Sequence, residues 1–157
     1  MYQIPEKAQQ LGADIQRDEL KYHQKRVAVT KTFTFDAAHH LHAYEGKCKN
    51  MHGHTYEVVL TMSGYTNDIG MVIDFGELKQ LYQAAIANRL DHRYLNEALP
   101  PMNTTAENIV VWMWETMALE IEKSGPATNG LRLEEVTLYE TPTSSATIKR
   151  EWMMDHA

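Results

Sequence analysis

The stretch VAVTKTFTFDAAHH, residues 27–40, decides the fold. Val27, Val29, Phe33, Phe35 and Ala37 stand at odd positions, while Thr30, Thr32, Thr34 and Asp36 are mostly even. Successive side chains of a strand point to opposite faces, so this period of two predicts a half-buried β-strand. His39 extends the apolar face and His40 points the other way. A second run, HTYEVVLTMSG over residues 54–64, repeats the pattern with Tyr56, Val58, Leu60 and Met62 on one face. Carried backwards, that face ends in His54 and His52. Paired antiparallel, the two strands gather His39, His52 and His54 at one end of a sheet.

Outward from that pair, the chain supplies cover for one face. Asp74 and Glu77 form a capping-box pattern, and Phe75, Leu78, Tyr82, Ala85 and Ile86 then follow helical spacing to about residue 90. Thr104 and Glu107 predict a second cap, opening a helix over 105–123 that Gly125-Pro126 ends. Two strands close the chain, LRLEEVTLYET with Val136, Leu138 and Glu140 on one face, and the shorter, more polar TSSATIKREW. The order ββααββ predicts an α+β fold: a four-stranded antiparallel sheet with two helices on one face. Its other face and its edges call for association, so an oligomer is expected. Residues 1–25, polar and mixed in charge, read as an N-terminal arm outside a single domain at 26–157.

Composition narrows the classes. The chain has 157 residues, 43% of them hydrophobic and 23% charged, as in an ordinary soluble domain. A net charge of -6 argues against a general nucleic-acid binder or an anionic-membrane binder. No apolar run is long enough to span a bilayer, and the first residues lack the apolar core of a signal peptide. The single cysteine fits a reducing, cytoplasmic setting.

Three histidines on one sheet end suit zinc, because neutral imidazoles hold the ion and leave a fourth position open. The bland alternative for His52 and His54 is a surface pair, and His40 and His42 compete as ligands. Cys48 sits between Lys47 and Lys49, whose charges favour the thiolate, although a lone cysteine is commonly a small buried hydrophobe. Asp91 and His92 complete a thiol–imidazole–carboxylate relay, or else cap a helix end. Glu140, ending an apolar strand face, has to be paired; a ligand edge with two adjacent N–H donors would satisfy it, as would simple exposure. Thr105 reads as a helix cap or as a donor to the same ligand.

The segments FDAAHHL, KCKNMHGHTYEV, GMVIDFGELK, RLDHRYLN, TTAENI and YETPTSSATI together resemble the 6-pyruvoyl-tetrahydropterin synthase and 6-carboxy-tetrahydropterin synthase family over roughly residues 30–152. The resemblance implies the tunnelling fold (T-fold), in which ββααββ subunits join their sheets into a β-barrel, usually as a hexamer. By position, it makes His39, His52 and His54 the zinc ligands and Cys48, Asp91 and His92 the catalytic groups. Glu140 becomes the pterin anchor, with Thr105 near it. His40 departs from the arginine that many relatives carry there. The implied substrate is 7,8-dihydroneopterin triphosphate, with Lys47, Lys49, Arg89 and Arg93 as candidate phosphate partners. The ETPTSSA segment is more like the carboxy-forming bacterial type of queuosine biosynthesis. The alternatives are the pyruvoyl-forming synthase and a non-catalytic, zinc-stabilised pterin-binding oligomer.

Overall fold

A computed structural model describes residues 15–125 and 129–154. The first part of the expected arm, residues 1–14, therefore lies outside the described residues. The alternating stretches form the two long strands expected of them, β1 (Arg26–His39) and β2 (His52–Tyr65). They pair antiparallel along their whole length, from Arg26 opposite Tyr65 to His39 opposite His52. One face is dry: Phe35, Ala37, Tyr56, Val58, Leu60 and Met62 are all buried. Each of the larger side chains there contributes roughly 2 kcal/mol of apolar burial, which fixes the register, because a one-residue slip would turn all of them to water.

The helical cover is α1 (Phe75–Tyr82), a π turn at Gln83–Ala87, and α2 (Asn88–Leu90), which together make one rod. Asp74 caps it, its carboxylate accepting from Gly76 N at 2.6 Å. Leu78, Tyr82, Ala85, Ile86 and Leu90 are its buried side. After α2 the chain makes β3 (Arg93–Tyr94) and α3 (Leu95–Ala98), then the long helix α4 (Ala106–Lys123). Ile109, Val110, Met113 and Met117 of α4 close the core against β4 (Arg132–Thr141) and its neighbours. The edge strand β5 (Ser144–Lys149) leads into one turn of helix, α5 (Arg150–Met153).

The α+β class and the two-helix cover agree with the expectation, and three details differ. The sheet has five strands in the order β3-β1-β2-β4-β5, not four. The added strand is only two residues long and runs parallel to β1, Arg93 beside Ala37 and Tyr94 beside Ala38. Such a short pairing carries no period, so alternation gives it no signal. Residues 150–152, expected in the last strand, lie in the helical turn α5 instead, with Arg150 Nη1 reaching Leu133 O at 3.3 Å in place of a ladder bond. The cap of α4 is Thr105, whose hydroxyl accepts from Asn108 N at 3.2 Å, one residue later than the Thr104 expected.

A bulge shapes β4. Thr61 opposes Glu135 and Met62 opposes Leu133, so Glu134 is the extra residue. It lets Leu133 and Val136 share the core face despite their odd spacing. Glu134 itself turns out to accept from Ser63 Oγ at 2.7 Å. Among the described residues no helix is long and apolar enough to cross a membrane.

Candidate metal and proton-transfer site

The end of the β1–β2 ladder sets His39 directly opposite His52, and Ala37 opposite His54. All three imidazoles therefore leave the same face, just beyond the buried Tyr56. His39, His52, His54 and Glu140 each bring one ligand atom to a common point, all within 4.8 Å of one another. His39 is 1% exposed, whereas His54 and Glu140 keep some access to solvent. The sequence expectation of a three-histidine cluster is thus matched in space, and His40 is outside it, bonded to the Tyr94 hydroxyl.

The hydrogen bonds fix which nitrogen faces inward. His39 Nδ1 lies 2.8 Å from Thr104 O, and His52 Nδ1 lies 2.8 Å from Asn50 O. A carbonyl only accepts, so both Nδ1 atoms carry a proton, and in the neutral ring both Nε2 atoms present lone pairs. Those two Nε2 atoms are 3.1 Å apart. Two acceptors that close repel unless a cation lies between them, and nitrogens sharing a tetrahedral zinc are about 3.3 Å apart. His54 Nε2 is buried and makes no aligned hydrogen bond, although Glu140 Oε1 stands 3.0 Å away. Burial pushes the His54 imidazole below its ordinary value, against the pull of the Glu140 carboxylate, and so favours the neutral ligand form. Glu140 is held below the usual carboxylate range, first by its close contact with His39 and then by the neighbouring imidazoles, against the cost of burial. Inward lone pairs with an ionised carboxylate beside them fit a divalent cation.

Thr104 is the residue that sequence reading missed. It is buried, its hydroxyl donates to His40 O at 3.1 Å, and its carbonyl takes the His39 proton. Only the packing of the loop before α4 against the end of β1 reveals this, and a threonine next to a helix cap carries no such signal. Since the backbone carbonyl holds the His39 tautomer, Thr104→Val should keep the metal with affinity within a few-fold and lose about 1 kcal/mol of stability. Metal titration and denaturant unfolding check this; a loss of affinity above about tenfold would give the tautomer to the hydroxyl.

A second group gathers Asp36, Asp91 and His92, again within 4.8 Å. His92 Nδ1 is 3.0 Å from Asp91 Oδ1, which also accepts from Asp36 N at 3.1 Å. His92 N donates to Asp36 O at 2.6 Å and holds a left-handed φ of +59°. That conformation is uncommon outside glycine and costs on the order of 1 kcal/mol, so the surrounding bonds must impose it. The result is an imidazole 77% exposed, with its Nδ1 fixed by a carboxylate and Nε2 left to solvent. Asp91 N also bonds Ala87 O at 2.9 Å, so ending a helix and pairing with His92 are both done by one residue.

A cleft of about 700 Å³ has Asp36, His54, His92 and Tyr94 among its walls. Of the metal-type cluster only His54 lines that cleft, and of the Asp91–His92 pair only His92. Cys48 lies in a short 3-10 turn, Lys47–Lys49, half-buried, with its carbonyl accepting from Leu41 N at 2.9 Å. It belongs to neither group. The hydroxyl of Thr105 serves the α4 cap.

The family model described as 6-pyruvoyl tetrahydropterin synthase matches residues 28–151. The chain belongs to that family. It is 34% identical over 123 residues to the 6-carboxy-5,6,7,8-tetrahydropterin synthase of Synechocystis sp., covering 75% of this chain and 89% of that one. The protein of the same description from Haemophilus influenzae is 30% identical over 140 residues, covering 74% of this chain and 94% of its own length. The 6-pyruvoyl tetrahydrobiopterin synthase of Drosophila melanogaster is 34% identical over 130 residues, covering 73% of this chain and 74% of its own. Among solved structures, Caenorhabditis elegans 6-pyruvoyl tetrahydropterin synthase superposes with a TM-score of 0.68 at 28% identity, over 82% of this chain and 98% of that one. The T-fold expected from the sequence is therefore the fold of the chain, here as one open sheet that a single subunit does not close.

Proposed function

We propose that this family member is a zinc-dependent lyase that converts 7,8-dihydroneopterin triphosphate to 6-carboxy-5,6,7,8-tetrahydropterin, releasing acetaldehyde and triphosphate, on the route to queuosine. The observation that carries the reading is the facing pair of Nε2 lone pairs on His39 and His52, 3.1 Å apart beside His54 and an ionised Glu140. His39, His52 and His54 would hold the zinc. Zinc at that point supplies Lewis acidity toward the oxygens of the substrate side chain. His92, its Nδ1 held by Asp91, offers Nε2 to take and return a proton, and Cys48 is the second proton-transfer group. Glu140 anchors the pterin through adjacent ring N–H donors, with Thr105 near that end of the ligand. The cations at Lys47, Lys49, Arg89 and Arg93 are candidates for the triphosphate.

Residues 1–25 are read as an arm outside the catalytic domain, a division supported by the start of the family match at residue 28. The unclosed sheet supports assembly into a homo-oligomer, a hexamer by resemblance, and the protein is read as cytoplasmic. Two bacterial relatives described as carboxy-forming favour that product, while the equal identity of the Drosophila relative keeps 6-pyruvoyl-tetrahydropterin as the second reading. Incubation of the zinc-loaded protein with the triphosphate should release acetaldehyde in step with a carboxypterin mass. A pyruvoyl product without acetaldehyde would select the second reading.

A further inference from the structure

Past the end of β1 the chain leaves the β1–β2 ladder, yet its backbone is bonded as if another strand lay beside it. His40 N donates to Asn96 Oδ1 at 2.9 Å, and His40 O accepts from Asn96 Nδ2 at 3.0 Å. Two residues on, His42 N donates to Asn103 Oδ1 at 2.9 Å, and His42 O accepts from Asn103 Nδ2 at 3.1 Å. A carboxamide has the donor and acceptor of a peptide group, so each asparagine takes both backbone groups of one residue. Between them, Leu41 N closes the loop on Cys48 O at 2.9 Å.

No fully buried apolar side chain competes with these bonds for control of the loop. No residue from His40 to Met51 is buried, so the segment carrying Cys48 rests on polar contacts. Asn103 is itself anchored, its carbonyl accepting from Thr105 N at 2.8 Å and from Asn108 Nδ2 at 2.9 Å. Asn96 rides on α3, at the far side of the same loop.

We infer that Asn96 and Asn103 are positioning residues for Cys48, their carboxamides standing in for a neighbouring strand along His40–His42 and so fixing the loop that presents the thiol. The metal-type cluster does not depend on them, because the β1–β2 ladder places its histidines. The catalytic consequence rests on the proton-transfer role proposed for Cys48, whereas the hold on the loop does not.

Cys48 is the only cysteine of the chain, so alkylation by iodoacetamide reports it alone. In Asn96→Ala and Asn103→Ala the alkylation rate of the zinc-loaded protein should rise about fivefold or more as the loop opens. Metal content should stay the same, and kcat should fall at least tenfold with KM within about twofold, because the bound pterin keeps its contacts while the thiol is misplaced. Asn103→Asp, which keeps the acceptor for His42 N and loses the donor, should fall between. Unchanged alkylation in both folded alanine variants overturns the inference, as does a loss of metal that accounts for the lost turnover. Faster alkylation with kcat intact supports the hold on the loop and overturns the role proposed for the thiol. Should the alanine variants not fold, Asn103→Asp and amide exchange in the unaltered protein decide it. Exchange at His42 N as fast as at exposed Glu45 overturns the inference.

Discussion

His52→Ala should purify folded and without bound metal. The fold survives because backbone bonds and the buried Phe35, Tyr56, Val58 and Leu60 hold the β1–β2 register, and His52 contributes little to the core. The metal is lost because the remaining donors, His39, His54 and Glu140, no longer include the facing pair of lone pairs that calls for a cation. Losing a direct ligand should cost more than the roughly 10–100-fold in affinity that follows loss of a partner behind a ligand. Elemental analysis together with a thermal melt checks both halves, and full zinc occupancy would remove His52 from the ligand set. Glu140→Ala is the informative contrast. A pterin anchor predicts retained zinc and weakened pterin binding, whereas a fourth ligand predicts loss of zinc.

Cys48→Ala should show the opposite pattern, with metal and fold retained and turnover gone. The turn Lys47–Lys49 has no buried residue, and Cys48 bonds Leu41 through its backbone, so alanine fits without disturbance. A proton-transfer group is worth about 10²–10⁴-fold in rate, and a fall of that size is expected. Single-turnover assays on zinc-replete protein measure it. Turnover equal to the unaltered chain would take the thiol out of the reaction. A chain that binds pterin and zinc but turns nothing over, with or without Cys48, would instead be a binding module.

Much of the site was legible because strand geometry is rigid. A period of two sends His39, His52 and His54 to the face of Phe35, Tyr56 and Val58 without knowledge of any other part of the chain. Although the β4–β5 pairing shifts register between Tyr139 and Thr141, Glu140 stays on the histidines' side, and counting from Val136 and Leu138 places it there because the bulge at Glu134 lies upstream of all three. Had it fallen after Val136, the same count would have sent Glu140 to the opposite face. The family resemblance, carried on six motifs, agrees with the family match found over residues 28–151.

Asp91 and His92 show where spacing stops. Their sequence says only that a carboxylate precedes an imidazole at a helix end. Their meeting depends on the left-handed turn at His92 and on the two bonds to the Asp36 backbone, 55 residues away. Thr104 and the paired asparagines are less legible still, since polar residues in loops have many partners available and no period to select one.

The sequence by itself determined the class of fold, the dry face of the sheet and the direction of three imidazoles, all of which follow from local periodicity and burial. Only the tertiary structure decided which nitrogen of each imidazole faces inward, that Glu140 reaches them, and that Asp91 and His92 gather beside Asp36. Apart from the His52 bond to Asn50 O two residues away, those facts depend on contacts between segments far apart in the chain. Chain folding sets such contacts, and no local pattern encodes them.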